Sequence, residues 1–106
     1  MKAQQIEDQI KESKSVMLYF FKNSCSSCQV LKPKVEQLLI DSFPKMKLIF
    51  IDSSLHPEFS ASFIVFSNPT MILFFEGKEY KRYNQFVSMI ELERYIQTYY
   101  SLVYEQ

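Results

Sequence analysis

The residues of this 106-residue chain best suited to chemistry are the two cysteines of Cys25-Ser26-Ser27-Cys28. Two thiols three positions apart at the start of a helix fall within one turn, close enough to bond to each other. A helix start also presents unpaired backbone N–H groups and a partial positive charge, which favour thiolate over thiol at the first cysteine. Cys25 is therefore the expected nucleophile. Cys28, one turn further in, is expected to be less exposed and to attack a mixed disulfide formed at Cys25, releasing product. The same spacing fits half of a zinc or iron–sulfur site, or two incidental core thiols. A closed zinc site needs four ligands, and beyond these cysteines the chain offers only His56 as a thiol or imidazole ligand. Redox exchange is the preferred chemistry, with no metal; a metal site shared between two copies is weakly motivated.

That chemistry needs a strand to deliver Cys25 and a helix to begin there. Val16-Met17-Leu18-Tyr19-Phe20-Phe21 is a continuous apolar run without alternation, as expected of a central strand covered on both faces. The polar Lys22-Asn23-Ser24 leads to Cys25, and Leu31, Val35, Leu38 and Leu39 recur at helical spacing up to Asp41-Ser42. Pro33 falls inside that helix and predicts a kink near its start. Met46 to Ile51 reads as a second buried strand ending at Asp52, which completes a right-handed, parallel β-α-β unit. A helix over residues 3–13 carries Ile6 and Ile10 on one stripe. His56-Pro57-Glu58 resembles a helix start before Phe59, Phe63 and Phe66. Met71 to Phe75 and Glu79 to Tyr83 flank a tight hairpin around Gly77, the only glycine in the chain. Met89, Leu92, Ile96, Tyr99 and Val103 share one stripe of a terminal helix starting near Val87.

The composition is that of a folded soluble protein: 47% hydrophobic, 16% aromatic and 23% charged. The length suits one domain over residues 1–106. Twelve Lys and Arg balance twelve Asp and Glu, leaving no global field to attract nucleic acid or an anionic membrane. The Tyr80-Lys81-Arg82-Tyr83 stretch is read as alternation on a hairpin strand, not a stacking surface for bases. The start from Met1 to Asp8 is polar, and the run at Val16–Phe21 is too short for a signal-peptide core or a membrane span. The chain accordingly reads as cytoplasmic, with no membrane partner and as a monomer rather than a dimer.

In order and spacing the chain resembles the thioredoxin family over nearly its whole length. The residues that carry the resemblance are the apolar strand before the motif, Cys25-x-x-Cys28 opening a helix, Pro33 inside it, Asp52 closing the next strand, Pro69-Thr70 before a strand, and the Gly77 hairpin. The resemblance implies an α/β three-layer sandwich: a four-stranded mixed sheet flanked by about four helices, without the extra N-terminal strand. It implies a cis bond between Asn68 and Pro69 beside the sulfurs, with the Asn68 backbone pairing with a bound substrate chain. By the same resemblance Ser24, Ser26, Ser27, Asn68 and Pro69 form the substrate-binding surface around catalytic Cys25 and Cys28. No cofactor is implied beyond the redox-active Cys25–Cys28 disulfide.

The departures from the family pattern are specific. Ser24 replaces the usual Trp before the first cysteine, and Ser26-Ser27 replaces Gly-Pro between the two. Tyr19 stands where the family commonly has a buried Asp, Leu48 where a lysine often accompanies it, and Gln85 where a glycine near the substrate groove is typical. The usual proton acceptor for Cys28 is thereby missing, since a phenol with pKa about 10 is a poor base at neutral pH. Lys22 and His56 are read as solvated loop and helix-start residues. Ser26 and Ser27 have two equal readings, as hydrogen-bond partners of a sulfur or as helix-start caps. The apolar tail Tyr99–Tyr104 is expected to pack back onto the domain, with contact to a partner as the other reading.

The expected function is thiol:disulfide exchange that reduces cytosolic protein disulfides through a Cys25 mixed disulfide resolved by Cys28. Its partners would be disulfide-containing protein substrates and a reductase whose identity the residues do not reveal. The alternative is a thioredoxin-like binding module, redox-responsive or inert, that uses the aromatic C-terminal surface. Glutathione-linked, glutaredoxin-like turnover is a third and less favoured reading.

Overall fold

The computed structural model of the protein describes residues 2–104, so positions 1, 105 and 106 of the expected domain lie outside the described residues. The apolar run near the N-terminus forms β1 (Ser15–Phe21), and its side chains from Val16 to Phe20 are fully buried. Successive strand side chains point to opposite faces, so burial of all five requires cover above and below and a strand on each side. β2 (Lys47–Asp52) supplies one neighbour, parallel to β1, with Val16 opposite Lys47 and Phe21 opposite Asp52. β3 (Thr70–Phe75) supplies the other, antiparallel, and is itself buried at every position. β4 (Lys78–Tyr83) pairs antiparallel with β3, giving a four-stranded mixed sheet in the order β2-β1-β3-β4. β2 is thus an edge strand, and Leu48 and Phe50 are only half-buried where full burial was expected.

Four helices complete the three layers. On one face, α1 (Ala3–Glu12) and α3 (Pro57–Ser62) bring Ile6, Ile10 and Phe59 against Val16, Leu18, Phe20, Ile72 and Phe74. On the other, α2 (Ser26–Ser42) and α4 (Met89–Tyr104) bring Leu31, Val35, Leu39, Leu92 and Ile96 against Met17, Tyr19, Met71 and Leu73. α2 runs continuously through Pro33. Proline has no N–H to donate one turn back, so the carbonyl of Gln29, an exposed residue, receives no bond from position 33. The hairpin joining β3 to β4 turns on Glu76 and Gly77, with φ of 52° and 81°, the left-handed pair that twists with the strands.

The C-terminal aromatics pack inward. Tyr99 lies 5.5 Å from Phe75 and Tyr100 5.1 Å from Phe43, ring centre to ring centre. The Tyr104 hydroxyl donates to the Lys45 carbonyl (3.1 Å) and lies 2.9 Å from Ser15 Oγ. This segment staples the end of α4 to β1 and to the loop before β2.

α3 ends in a left-handed cap. The Ile64 N–H donates to the Ala61 carbonyl (3.1 Å) and the Val65 N–H to the Ser60 carbonyl (2.8 Å), the paired bonds of a Schellman motif. The position that must turn left-handed is Ile64, at φ 57°, where glycine is the usual occupant. Arg82 from β4 holds the turn by donating to the Ile64 carbonyl (2.9 Å) and the Phe63 carbonyl (2.6 Å), while Glu79 pairs with its guanidinium. The segment from this turn to β3 carries Asn68 and Pro69.

Tyr19 sits in the middle of β1 beneath α2, and its hydroxyl donates to the Cys28 carbonyl (3.1 Å). Burial pushes its phenol up from 10.0 to about 12. The folded chain therefore retains a proton that the unfolded chain loses above pH 10, so this contribution is intact below pH 10 and drains away as pH rises towards 12.

Two stability measurements follow from these contacts. Replacing exposed Ile64 (62% accessible) with Gly relieves a β-branched residue of its left-handed backbone and is expected to raise unfolding free energy by about 1 kcal/mol in urea titration. Equal or lower stability would show that the turn carries no such strain. Replacing Tyr19 with Phe is expected to cost about 1 kcal/mol at pH 8, the usual worth of one hydrogen bond. Wild type should then lose that advantage as pH rises, at up to about 1.4 kcal/mol per unit, with the two proteins equal near about pH 11. Parallel curves across that range would mean that Tyr19 titrates normally.

Candidate active site

β1 ends at Phe21, whose carbonyl accepts from the Ser53 N–H just beyond β2 (2.8 Å), so both parallel strands finish at the same edge. The loop turns at once, with the Cys25 N–H donating to the Lys22 carbonyl (3.1 Å), and α2 begins. Cys25 is the N-cap of that helix, at φ −90° and ψ 108°, and its sulfur accepts from the Cys28 N–H at 3.2 Å. The capping atom is therefore the sulfur, where Ser26 or Ser27 was one expectation for the cap. Cys25 and Cys28 are joined by a disulfide with Cα atoms 5.3 Å apart. Cys25 is half-exposed, whereas Cys28 is 1% accessible, in line with the expected inequality.

The Asn68–Pro69 peptide bond is cis. It brings the Asn68 carbonyl oxygen to 3.5 Å from Cys25 Sγ. A disulfide sulfur has no hydrogen, so this contact becomes a hydrogen bond only when Cys25 carries a thiol proton. The Asn68 side chain is held from behind, where Ser60 Oγ donates to Ser53 Oγ (3.1 Å) and Ser53 Oγ to Asn68 Oδ1 (2.9 Å). The Thr70 hydroxyl donates to the Ser67 carbonyl (2.7 Å), fixing the other side of the proline. Ser53 is buried and spends its proton on Asn68, a role invisible in sequence because its partners lie 7 and 15 residues away.

Among the other expected site residues, Ser27 lies with its Oγ 3.3 Å from Cys25 Sγ and donates to Gln85 Oε1 at 3.2 Å. Ser27 is thus a close neighbour of the sulfur, but in the disulfide state its one proton goes to Gln85. Ser24 and Ser26 are exposed on either side of Cys25 in the chain, and Ser26 lines a shallow cleft with Val30, Lys34 and Gln85. A second cleft, bounded by Ser67, Asn68, Pro69 and Phe86, meets the first at Gln85. Gln85 therefore divides the surface beside the sulfur. Phe66 and Phe86, 92% and 82% accessible, flank the cis-proline loop and were not foreseen as part of this surface. Nothing in their spacing separates them from core phenylalanines.

Lys22 is exposed in the loop, and His56 starts α3, stacked 4.7 Å from Phe59 with Nδ1 3.4 Å from Glu58. Among the described residues no group of three or more His, Cys, Asp or Glu could hold a metal ion, and no helix is long and apolar enough to cross a membrane. Behind Cys28, Tyr19 is committed as a donor to the backbone with its proton held tightly, so it serves as no base near neutrality.

Comparison with known proteins places this arrangement in a family. The thioredoxin family model matches residues 1–98. A thioredoxin-like protein of Bacillus subtilis, YdfQ, is 32% identical over 97 residues, covering 92% of this chain and 86% of that one. Thioredoxin of Mycobacterium tuberculosis is 29% identical over 75 residues, covering 71% and 65%. Among solved structures, a mutant thioredoxin from Halobacterium salinarum superposes with a TM-score of 0.82 at 22% identity, covering 93% and 86%. Oxidised thioredoxin from Plasmodium falciparum gives 0.78 at 20%, covering 92% of each chain. Those two structural likenesses speak for the fold, and the family match together with the Cys25–Cys28 pair speaks for the chemistry: the chain belongs to the thioredoxin family and is a thiol:disulfide oxidoreductase.

Proposed function

We propose that this protein reduces protein disulfides in the cytoplasm, with Cys25 as the attacking thiolate and Cys28 as the resolving thiol. The observation that carries the reading is the asymmetry of the pair: a half-exposed sulfur that caps α2, and a buried one a turn inside it. The Cys25 thiolate attacks one sulfur of a substrate disulfide, forming a mixed disulfide and expelling the second substrate sulfur as a thiolate, which takes a proton from water. Cys28 then loses its proton and attacks Cys25 Sγ, which releases the first substrate sulfur and leaves the Cys25–Cys28 disulfide. A reductase or dithiol returns two electrons to close the cycle. The substrate chain lies across Ser24, Ser26 and Ser27 and along Asn68 and Pro69, where the Asn68 backbone pairs with it. The only cofactor is the redox-active disulfide, and the protein acts as a monomer.

Replacing Cys28 with Ser should stop the cycle at the mixed disulfide, so the variant should accumulate covalent adducts with protein substrates on non-reducing gels. The Cys25→Ser variant should form none. Failure of Cys28→Ser to trap any partner, while wild type still reduces a model protein disulfide, would overturn the assigned roles. For a cytoplasmic reductant the pair should equilibrate with thiol buffers near or below about −250 mV.

The second step should be the slow one near neutrality, because Tyr19 occupies the site behind Cys28 and accepts no proton. In single-turnover experiments, release of product from the Cys25 mixed disulfide is expected to rise close to tenfold per pH unit up to at least about pH 8.5, the ordinary thiol range. A release rate flat from pH 6 to 8 would reveal a dedicated base.

A further inference from the structure

The Ser27 hydroxyl has one proton and two acceptors within reach. In the disulfide state it gives that proton to Gln85 Oε1 at 3.2 Å while lying 3.3 Å from Cys25 Sγ. That choice is reasonable, because neutral sulfur is a weak acceptor and an amide oxygen a good one. Reduction changes the competition. A dithiol reductant gives two electrons to the Cys25–Cys28 bond and becomes a disulfide; of its two protons, one goes to Cys28 as a thiol and one to solvent, leaving Cys25 as a thiolate. A thiolate now outbids the amide oxygen, since hydrogen bonds to a charged acceptor are roughly twice as strong as neutral ones.

We propose that Gln85 is a positioning residue that acts on Cys25 through Ser27: on reduction the Ser27 hydroxyl turns its proton to the Cys25 thiolate, and the Gln85 amide turns over to donate N–H to Ser27 Oγ. The inference rests on the reading of Cys25 as the attacking thiolate. A primary amide offers a donor and an acceptor on the same planar group, so half a turn about its last bond exchanges one for the other at the same place. The resulting chain runs from N–H to O–H to sulfur, and each bond polarises the next. It adds a side-chain donor to the backbone N–H of Cys28, which already points at Cys25 Sγ at 3.2 Å. Glycine at position 85 would supply no such group, nor would proline at position 27, so the two departures from the family pattern are joined by one contact across 58 residues of sequence. The charged side chain facing this spot is that of Lys34, which lines the same cleft.

The test is a double-mutant cycle on the fully reduced protein, with wild type, Ser27→Ala, Gln85→Met and the double variant. The readouts are thiolate absorbance near 240 nm and the alkylation rate against pH, with mass mapping of the residue modified. Each single variant should raise the thiolate midpoint by about half a unit to one unit, since a hydrogen bond to the charged form is lost. The double variant should shift no further than Ser27→Ala, because Gln85 works only through the hydroxyl. Gln85→Glu, which accepts a hydrogen bond but donates none when ionised, should raise the midpoint more than Gln85→Met does. In wild type the side-chain amide resonances of Gln85 should move between the oxidised and reduced states. A Gln85→Met midpoint equal to wild type, or an equal shift with and without Ser27, overturns the relay while leaving Cys25 as nucleophile. First alkylation at Cys28 overturns both this inference and the reading beneath it.

Discussion

Five consecutive side chains of β1, from Val16 to Phe20, have no contact with water, and the rest of the architecture follows from meeting that condition. A strand buried on both faces must have helices above and below it and paired strands on each side. Tyr19 and Met17 draw α2 and α4 to one face, and Val16, Leu18 and Phe20 draw α1 and α3 to the other. β2 and β3 satisfy its backbone along both edges. The strand then ends abruptly, because Lys22-Asn23-Ser24 cannot be buried, and α2 must begin within a few residues to return over the sheet. The reactive sulfur sits at that reversal. Its place is a consequence of the buried strand before it, and the cis-proline loop meets it because that loop leads into β3, the strand paired to β1 on the other side.

This explains which parts of the molecule could be read from residue order. The unbroken apolar run of β1 has only one comfortable environment, and the Leu31-Val35-Leu39 stripe of α2 has only one face to bury, so both announce themselves locally. The hairpin was legible because a lone glycine falls between two strand-like runs, and its φ of 81° requires what glycine supplies. β2 was overread: its sequence is as apolar as a central strand, but whether a strand is central is decided by how many neighbours it has. The cap of α3 was hidden for the opposite reason. Ile64 is a poor residue for a left-handed turn, and only the Arg82 clamp from β4 and the packing of Phe59 and Phe63 make the turn worth keeping. The site divides in the same way. The cysteines and Pro69 stand out by type and spacing, whereas Ser53, Phe66, Phe86 and the contact of Gln85 with Ser27 come together only through the fold.

Position 19 shows how one side chain can serve packing at the expense of chemistry. A buried carboxylate there would need its charge satisfied in an apolar layer, or would hold its proton well above the usual range. Tyrosine avoids that cost. Its ring packs edge-on to Phe50 at 5.6 Å between centres, and its hydroxyl finds a backbone acceptor at Cys28. The layer behind Cys28 is therefore apolar with its hydroxyl satisfied, and Tyr19 accepts no proton there near neutrality. Lys32 strengthens the same aromatic group from outside, its ammonium 4.5 Å from the Phe50 ring centre and 4.7 Å from that of Phe21. On the proposed role of Cys28 as the resolving thiol, stability at this face and rapid deprotonation of that thiol compete for one position, and packing has taken it.

The sulfur that caps α2 couples stability to redox state by a separate route. Most helices are capped by a hydroxyl or carboxylate that plays no further part, and removing such a cap costs about 0.5–2 kcal/mol. Here the cap is the reacting atom. In the disulfide it is a neutral, weak acceptor for the Cys28 N–H; as a thiolate it is a charged acceptor at the positive end of a 17-residue helix. Whatever free energy the thiolate gains from those backbone groups is, by linkage, the same free energy by which the charged form stabilises the start of the helix. With Cys25 as the attacking thiolate, as proposed, the mixed disulfide makes that sulfur neutral again and returns it to a weak cap for the first turn of α2, where Cys28 lies.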